Sequence, residues 1–105
     1  MLLTNESLEM YVLMCRAISK PLRLRILDMI GTEKMNVSDL QKTLDVPLSN
    51  LSNHLNDLYR TGVLGKEKQG NYVFYYMVEP KLLDAIFSMQ NIFKTILSNR
   101  SRAQF

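Results

Sequence analysis

The chain has 105 residues, the size of one small domain, and 47% of them are hydrophobic, which excludes a disordered polymer. Thirteen Lys and Arg against ten Asp and Glu leave a formal charge of +3, which fits a nucleic-acid partner without requiring one. A lone cysteine excludes a disulfide framework, no signal-peptide pattern opens the chain, and no apolar run nears the roughly 20 residues that cross a bilayer, so a cytoplasmic protein with no membrane partner is expected.

In a first helix over about residues 6 to 18, Leu8 to Ile18 is apolar nearly all round, through Leu8, Met10, Tyr11, Val12, Leu13, Met14, Cys15, Ala17 and Ile18. Such a helix needs cover on both sides, one from its own core and the other from a second subunit. Ser19-Lys20-Pro21 restarts a helix, Pro21 fitting its first turn, with Leu22, Ile26, Leu27 and Ile30 at helical spacing and Gly31 as the stop. Asn36 can cap a short third helix, with Asp39 three residues on and Leu40 and Leu44 turned inward. Asp45-Val46-Pro47 then turns the chain into a fourth.

In that fourth helix Leu48, Leu51, Leu55 and Leu58 share one face. The opposite face centres near Asn53, flanked by Ser49, Asn50, Asn56, Asp57 and Arg60, with Ser52 and His54 at its two boundaries. Thr61-Gly62 ends it. Val63 to Glu67 and Tyr72 to Val78 read as two strands joined through Gln69-Gly70-Asn71. Glu79-Pro80 opens a last helix, to about residue 97, in which Leu82, Ile86, Met89, Phe93 and Ile96 make a stripe that exceeds what one small core can hide. Ser98 to Phe105 reads as a frayed, basic end.

The expected fold is therefore mainly α with a small β-hairpin, in the order α-α-α-α-β-β-α, as a single domain over 1–105. It is a winged helix-turn-helix, with the helix-turn-helix over about 36–60 and the wing over about 63–78. The terminal helices, about 6–18 and 80–97, are expected to form a homodimer through Leu8, Tyr11, Val12 and Cys15 on the first and Leu82, Ile86, Met89 and Phe93 on the last.

Side-chain chemistry points the fourth helix at double-stranded DNA. Asparagine offers donor and acceptor together, which suits the N6 and N7 of adenine; serine serves either role, and Leu48 can pack on a thymine methyl. Asn50 and Asn53 are the favoured base contacts, with Leu48, Ser49 and Ser52 beside them. Arg60, Lys66, Lys68, Gln69 and Asn71, with Ser38 at the head of the third helix, are the candidates for the backbone and an adjacent groove. Arg23 and Arg25 are equally candidates for ion pairs within the subunit, with Asp28 or another acid.

The sequence resembles the ArsR/SmtB family of dimeric winged-helix repressors. The resemblance is carried in order by Ile18-Ser19-Lys20-Pro21-Leu22-Arg23-Leu24-Arg25-Ile26-Leu27, by Val37-Ser38-Asp39-Leu40, by Ser49-Asn50-Leu51-Ser52-Asn53-His54-Leu55, and by Leu64 with Gly70-Asn71-Tyr72-Val73-Phe74-Tyr75-Tyr76. It covers about residues 10 to 97. The pattern departs from the family's usual one at Leu48, Asn53 and Asn71, so no operator sequence carries over.

The resemblance implies a sequence-specific transcriptional regulator of the repressor kind, bound to an inverted repeat, and favours a phosphate contact for His54 over a place at the core's edge. It also implies, for many members, metal ligands at the head of the third helix or along the last. Met35-Asn36-Val37-Ser38 has no thiolate, and the last helix has Asp84 but no histidine, so neither a metal site nor a cofactor is expected. Two other readings stand beside this one: a winged-helix module that binds protein rather than DNA, and a regulator switched through Cys15. An enzyme is not expected, because no nucleophile–base pair or Gly-rich phosphate loop is visible.

Overall fold

The computed structural model describes Leu2 to Ala103, with side chains as far as Arg100. Helix α1 (Asn5–Ile18) begins at a reciprocal cap: Thr4 Oγ1 accepts from the Ser7 amide at 3.2 Å, and Ser7 Oγ accepts from the Thr4 amide at 2.8 Å. Helix α2 (Pro21–Ile30) starts from an extended Lys20 with Pro21 in its first turn and stops at Gly31, whose φ of 57° suits a residue without Cβ. Helix α3 (Val37–Leu44) is capped by Asn36, whose side chain accepts from the Asp39 amide at 2.8 Å. Pro47 leads into α4 (Leu48–Arg60), strands β2 (Leu64–Gln69) and β3 (Tyr72–Met77) form the wing, and α5 (Lys81–Ala103) closes the chain.

Three expectations are corrected. Lys34–Asn36 forms a short strand, β1, so the sheet has three antiparallel strands in the order β1-β3-β2 rather than two. Three residues are too few to show an alternation, and this strand exists because β3 offers it a free edge, with Lys34 opposite Tyr76 and Asn36 opposite Phe74. The last helix runs on through Ser98 to Ala103 instead of fraying, since no Gly or Pro interrupts it; the expectation for Gln104 and Phe105 lies outside the described residues. The strands also pair further than expected, leaving a two-residue turn with Gly70 at φ 61° in its first central position.

The core lies where α2, α3 and α4 meet the sheet. Ile26, Leu27, Ile30, Leu40, Leu51, Leu55, Leu58 and Leu64 are fully buried there, each contributing about 1.5–3 kcal/mol of transfer free energy. Leu82, Leu83 and Ile86 bring only the first turns of α5 against this cluster. Gly65 is buried beneath the ring of Tyr76, its cross-strand neighbour, and a Cβ there would overlap the ring.

Candidate nucleic-acid interface

The period of α4 sorts its residues as expected. Leu51, Leu55 and Leu58 are buried, while Ser49, Asn50, Asn53 and Asn56 are exposed and make no side-chain hydrogen bond among the described residues. Leu48, at the very start of the stripe, is half exposed instead of inward. Pro47 provides no side-chain cap, and the first internal bond of the helix runs from the Leu51 amide to the Pro47 carbonyl at 3.0 Å. The N–H groups of Leu48, Ser49 and Asn50 therefore have no partner within the helix, and the positive end of its dipole faces outward.

Strand alternation sets the wing's chemistry. Lys66 and Lys68 sit opposite Tyr75 and Val73, on the sheet face turned toward the helices. Lys66 Nζ lies 4.3 Å from the centre of the Tyr59 ring, so the aromatic face holds the cation beside α4. Lys68 is exposed, with no ion pair among the described residues. The other sheet face carries a different set. Lys34 Nζ bonds Glu67 at 2.6 Å, and Gln69 Nε2 donates to the same carboxylate at 3.2 Å. Gln69 thus points away from the lysines that were grouped with it. Asn71 is exposed at the turn and Ser38 is exposed at the head of α3.

The other end of α4 is tied down. Arg23, the one buried charged side chain among the described residues, donates from Nη1 to the Ala17 carbonyl at 2.8 Å and from Nε to His54 Nδ1 at 2.9 Å. Its Nη2 pairs with Asp57, whose second oxygen takes Arg60. One guanidinium thereby joins the end of α1, the start of α2 and two turns of α4. Because Nδ1 of His54 accepts, its proton is on Nε2, and burial, helped by Arg23 and Lys20, lowers its pKa. The Arg60 hydrogen bond, followed by the charge of Arg23, holds Asp57 below the usual carboxylate range. An internal ion pair for Arg23 was one of the two readings open from sequence, but the partner is Asp57; Asp28 and Arg25 are exposed and pair with nothing among the described residues.

Comparison with known proteins fits this geometry to a family. A helix-turn-helix domain profile matches residues 18–65. HlyU from Vibrio cholerae superposes with a TM-score of 0.76 at 26% identity, over 86% of this chain and 98% of that one. The structure described as the homodimeric winged helix-turn-helix DNA-binding domain Mb0332 of Mycobacterium bovis, a possible ArsR-family regulator, shares the fold with a TM-score of 0.76 at 17% identity, over 92% and 93% of the two chains. The transcriptional repressor SdpR of Bacillus subtilis is 30% identical over 76 residues, which span 72% of this chain and 84% of SdpR. The chain belongs to the ArsR/SmtB family.

As an ArsR/SmtB protein it is a DNA-binding transcriptional regulator, in a family of regulators rather than of enzymes. The described residues contain no group of three or more His, Cys, Asp or Glu placed to hold a metal, and no helix long and apolar enough to cross a membrane. The ArsR/SmtB chain also leaves large apolar surfaces bare. On α1, Leu8, Tyr11 and Val12 are exposed and Cys15 is half-buried; on α5, Leu82 and Ile86 pack on the core while Met89 and Phe93 are exposed. Sequence reasoning missed Tyr59 and placed Asp57 on the outward face. The available signal for Asp57 was its spacing of three from both His54 and Arg60.

Proposed function

We propose that this ArsR/SmtB regulator is a homodimeric repressor in which residues 1–105 act as one domain and two copies of α4 enter successive major grooves of an inverted repeat. The observation that carries this reading is the outward face at the head of α4. Ser49, Asn50 and Asn53 stand exposed with their hydrogen-bonding capacity unspent, next to an uncapped helix end, and two wing lysines lie on the sheet face turned toward the helices. Asn50 and Asn53 read base edges, with Leu48, Ser49 and Ser52 packed around them. Lys66 and Lys68 hold phosphates, and the Nε2–H of His54 is a neutral donor available to another. Asn71, Ser38 and Arg60 are lesser backbone contacts, and Gln69 contributes only if it leaves Glu67.

The dimer buries the bare surfaces of α1 and α5, and two-fold symmetry makes one patch serve both copies. Repression follows from occupying the promoter, the sign that the name of SdpR also carries for that protein. The test is selection of bound duplexes from a random pool by the purified protein, with its mass measured in the same buffer. An enriched inverted repeat bound by a dimer is expected. A protein that enriches nothing even at low salt overturns the DNA reading and turns the α4 face into a surface for protein.

A further inference from the structure

A cleft of about 630 Å³ opens between the α1–α2 corner and the last turn of α4. Arg16, Lys20, Arg23 and Arg60 line it, against one carboxylate, Asp57, which already serves both Arg23 and Arg60. Arg16 and Lys20 are exposed and form no hydrogen bond or ion pair through their side chains among the described residues. Four cations thus line one open groove with one internal anion, three of them beside an Arg23 already bonded within the fold, and Leu13 and Ala17 give the groove an apolar wall.

We propose that this cleft binds a small phosphate monoester with a short apolar group. A phosphate monoester carries up to two charges and three acceptor oxygens, enough to engage Arg16, Lys20 and Arg60 together, where a carboxylate has fewer positions to offer. The apolar group then lies against Leu13. Arg60 lies ten residues past Asn50, about 15 Å along the helix, so the cleft is at the far end of α4 from its exposed head. On α1, Arg16 lies one turn past Val12, and Leu13 and Arg16 also line a groove with Leu8 and Val12, so the site adjoins the surface assigned to the partner copy without using Tyr11 or Cys15. The ligand competes with Asp57 for Arg60 and so loosens the tied end of α4. That consequence for DNA rests on the function proposed above; the binding itself does not.

Phenyl phosphate, with phenol as the uncharged control, tests the site in the full chain. Titrated at constant ionic strength without DNA and followed by amide NMR, it is expected to give saturable shifts at Leu13, Lys20 and Thr61, absent with phenol. An Arg16→Ala, Lys20→Ala double variant, altered only at exposed positions, is expected to bind about tenfold or more weakly while melting as the wild type does. Shifts that sodium chloride reproduces, or that the variant retains, overturn the proposal. So does a variant whose affinity for the selected duplex has a salt slope lowered by about 0.9 per lost contact, since those cations would then hold the DNA backbone. The first arm contains no duplex, so it decides the site even if the selection of duplexes fails.

Discussion

At its head α4 has no side-chain cap, and Ser49, Asn50 and Asn53 stand in solvent with free donors and acceptors. At its tail Arg23 and Arg60 grip Asp57, Arg23 holds His54, and Tyr59 carries Lys66 on its ring. The two ends differ because polar groups in water lose nothing by waiting for a partner, whereas those facing a buried guanidinium must be satisfied within the fold. On the function proposed above, one helix therefore separates recognition from anchoring along its length. Changes at the tail should register in folding, and changes at the head in binding.

Removing the anchor is the hardest test of that division. Arg23→Ala strands the Ala17 carbonyl and His54 Nδ1 and leaves Asp57 with Arg60 alone, and is expected to lower unfolding free energy by about 2–4 kcal/mol in a denaturant titration at neutral pH. A loss within the roughly 0.5 kcal/mol of an ordinary surface change would break the comparison at its tail. Asn53→Ala is the converse. Folding should change by no more than about 0.5 kcal/mol, while affinity for the preferred duplex drops by about 1–3 kcal/mol and base preference relaxes. Equal weakening on every sequence would remove Asn53 as a reader.

The wing tests whether the tail contributes to binding indirectly. Lys66→Ala with Lys68→Ala should lower the salt slope of duplex affinity by about 0.9 per contact, with little change in sequence preference. Tyr59→Ala, which only frees Lys66 from its ring, should weaken affinity by about 0.5–1 kcal/mol and leave the slope as it was. A lowered slope would mean that Tyr59 decides whether Lys66 reaches a phosphate at all.

The smallest effect is on pH dependence. The folded pKa of His54 is below its ordinary value of 6.5, so as pH falls the unfolded chain takes up a proton there before the folded one does. Its contribution to stability is complete above about pH 6.5 and declines as pH drops through that value toward the folded pKa. Asp57 is depressed too, but from the carboxylate range, so its share is lost only at much lower pH. A melting series from pH 7.5 to 5.5 should show a decline that His54→Asn, whose Oδ1 can still accept from Arg23, flattens. An equal decline in both proteins assigns it elsewhere.

Much of this was legible from sequence where periodicity and capping act locally. The leucine stripe of α4 fixed its polar face, Asn36 announced the start of α3, and aromatic strands around Gly70-Asn71 announced the wing. What escaped depends on distant partners. β1 is a strand only because β3 lies beside it, and Gln69 was grouped with the lysines although alternation sends it to the other face. A helical projection put Asp57 in solvent because it cannot show a guanidinium arriving from α2. Leu48 fits both assignments given to it, since the first residue of a stripe lies beyond the edge of the core.

Gly65 under the Tyr76 ring also acts as a ruler. A slip of one residue between β2 and β3 would turn Lys66 and Lys68 to the opposite face, and a slip of two would set Tyr76 across from Val63 or Glu67. Only opposite Gly65 does the ring meet a residue with no Cβ beneath it. The spacing between the wing's charges and α4 is thus set by one absent methyl group, at a position that need never touch DNA.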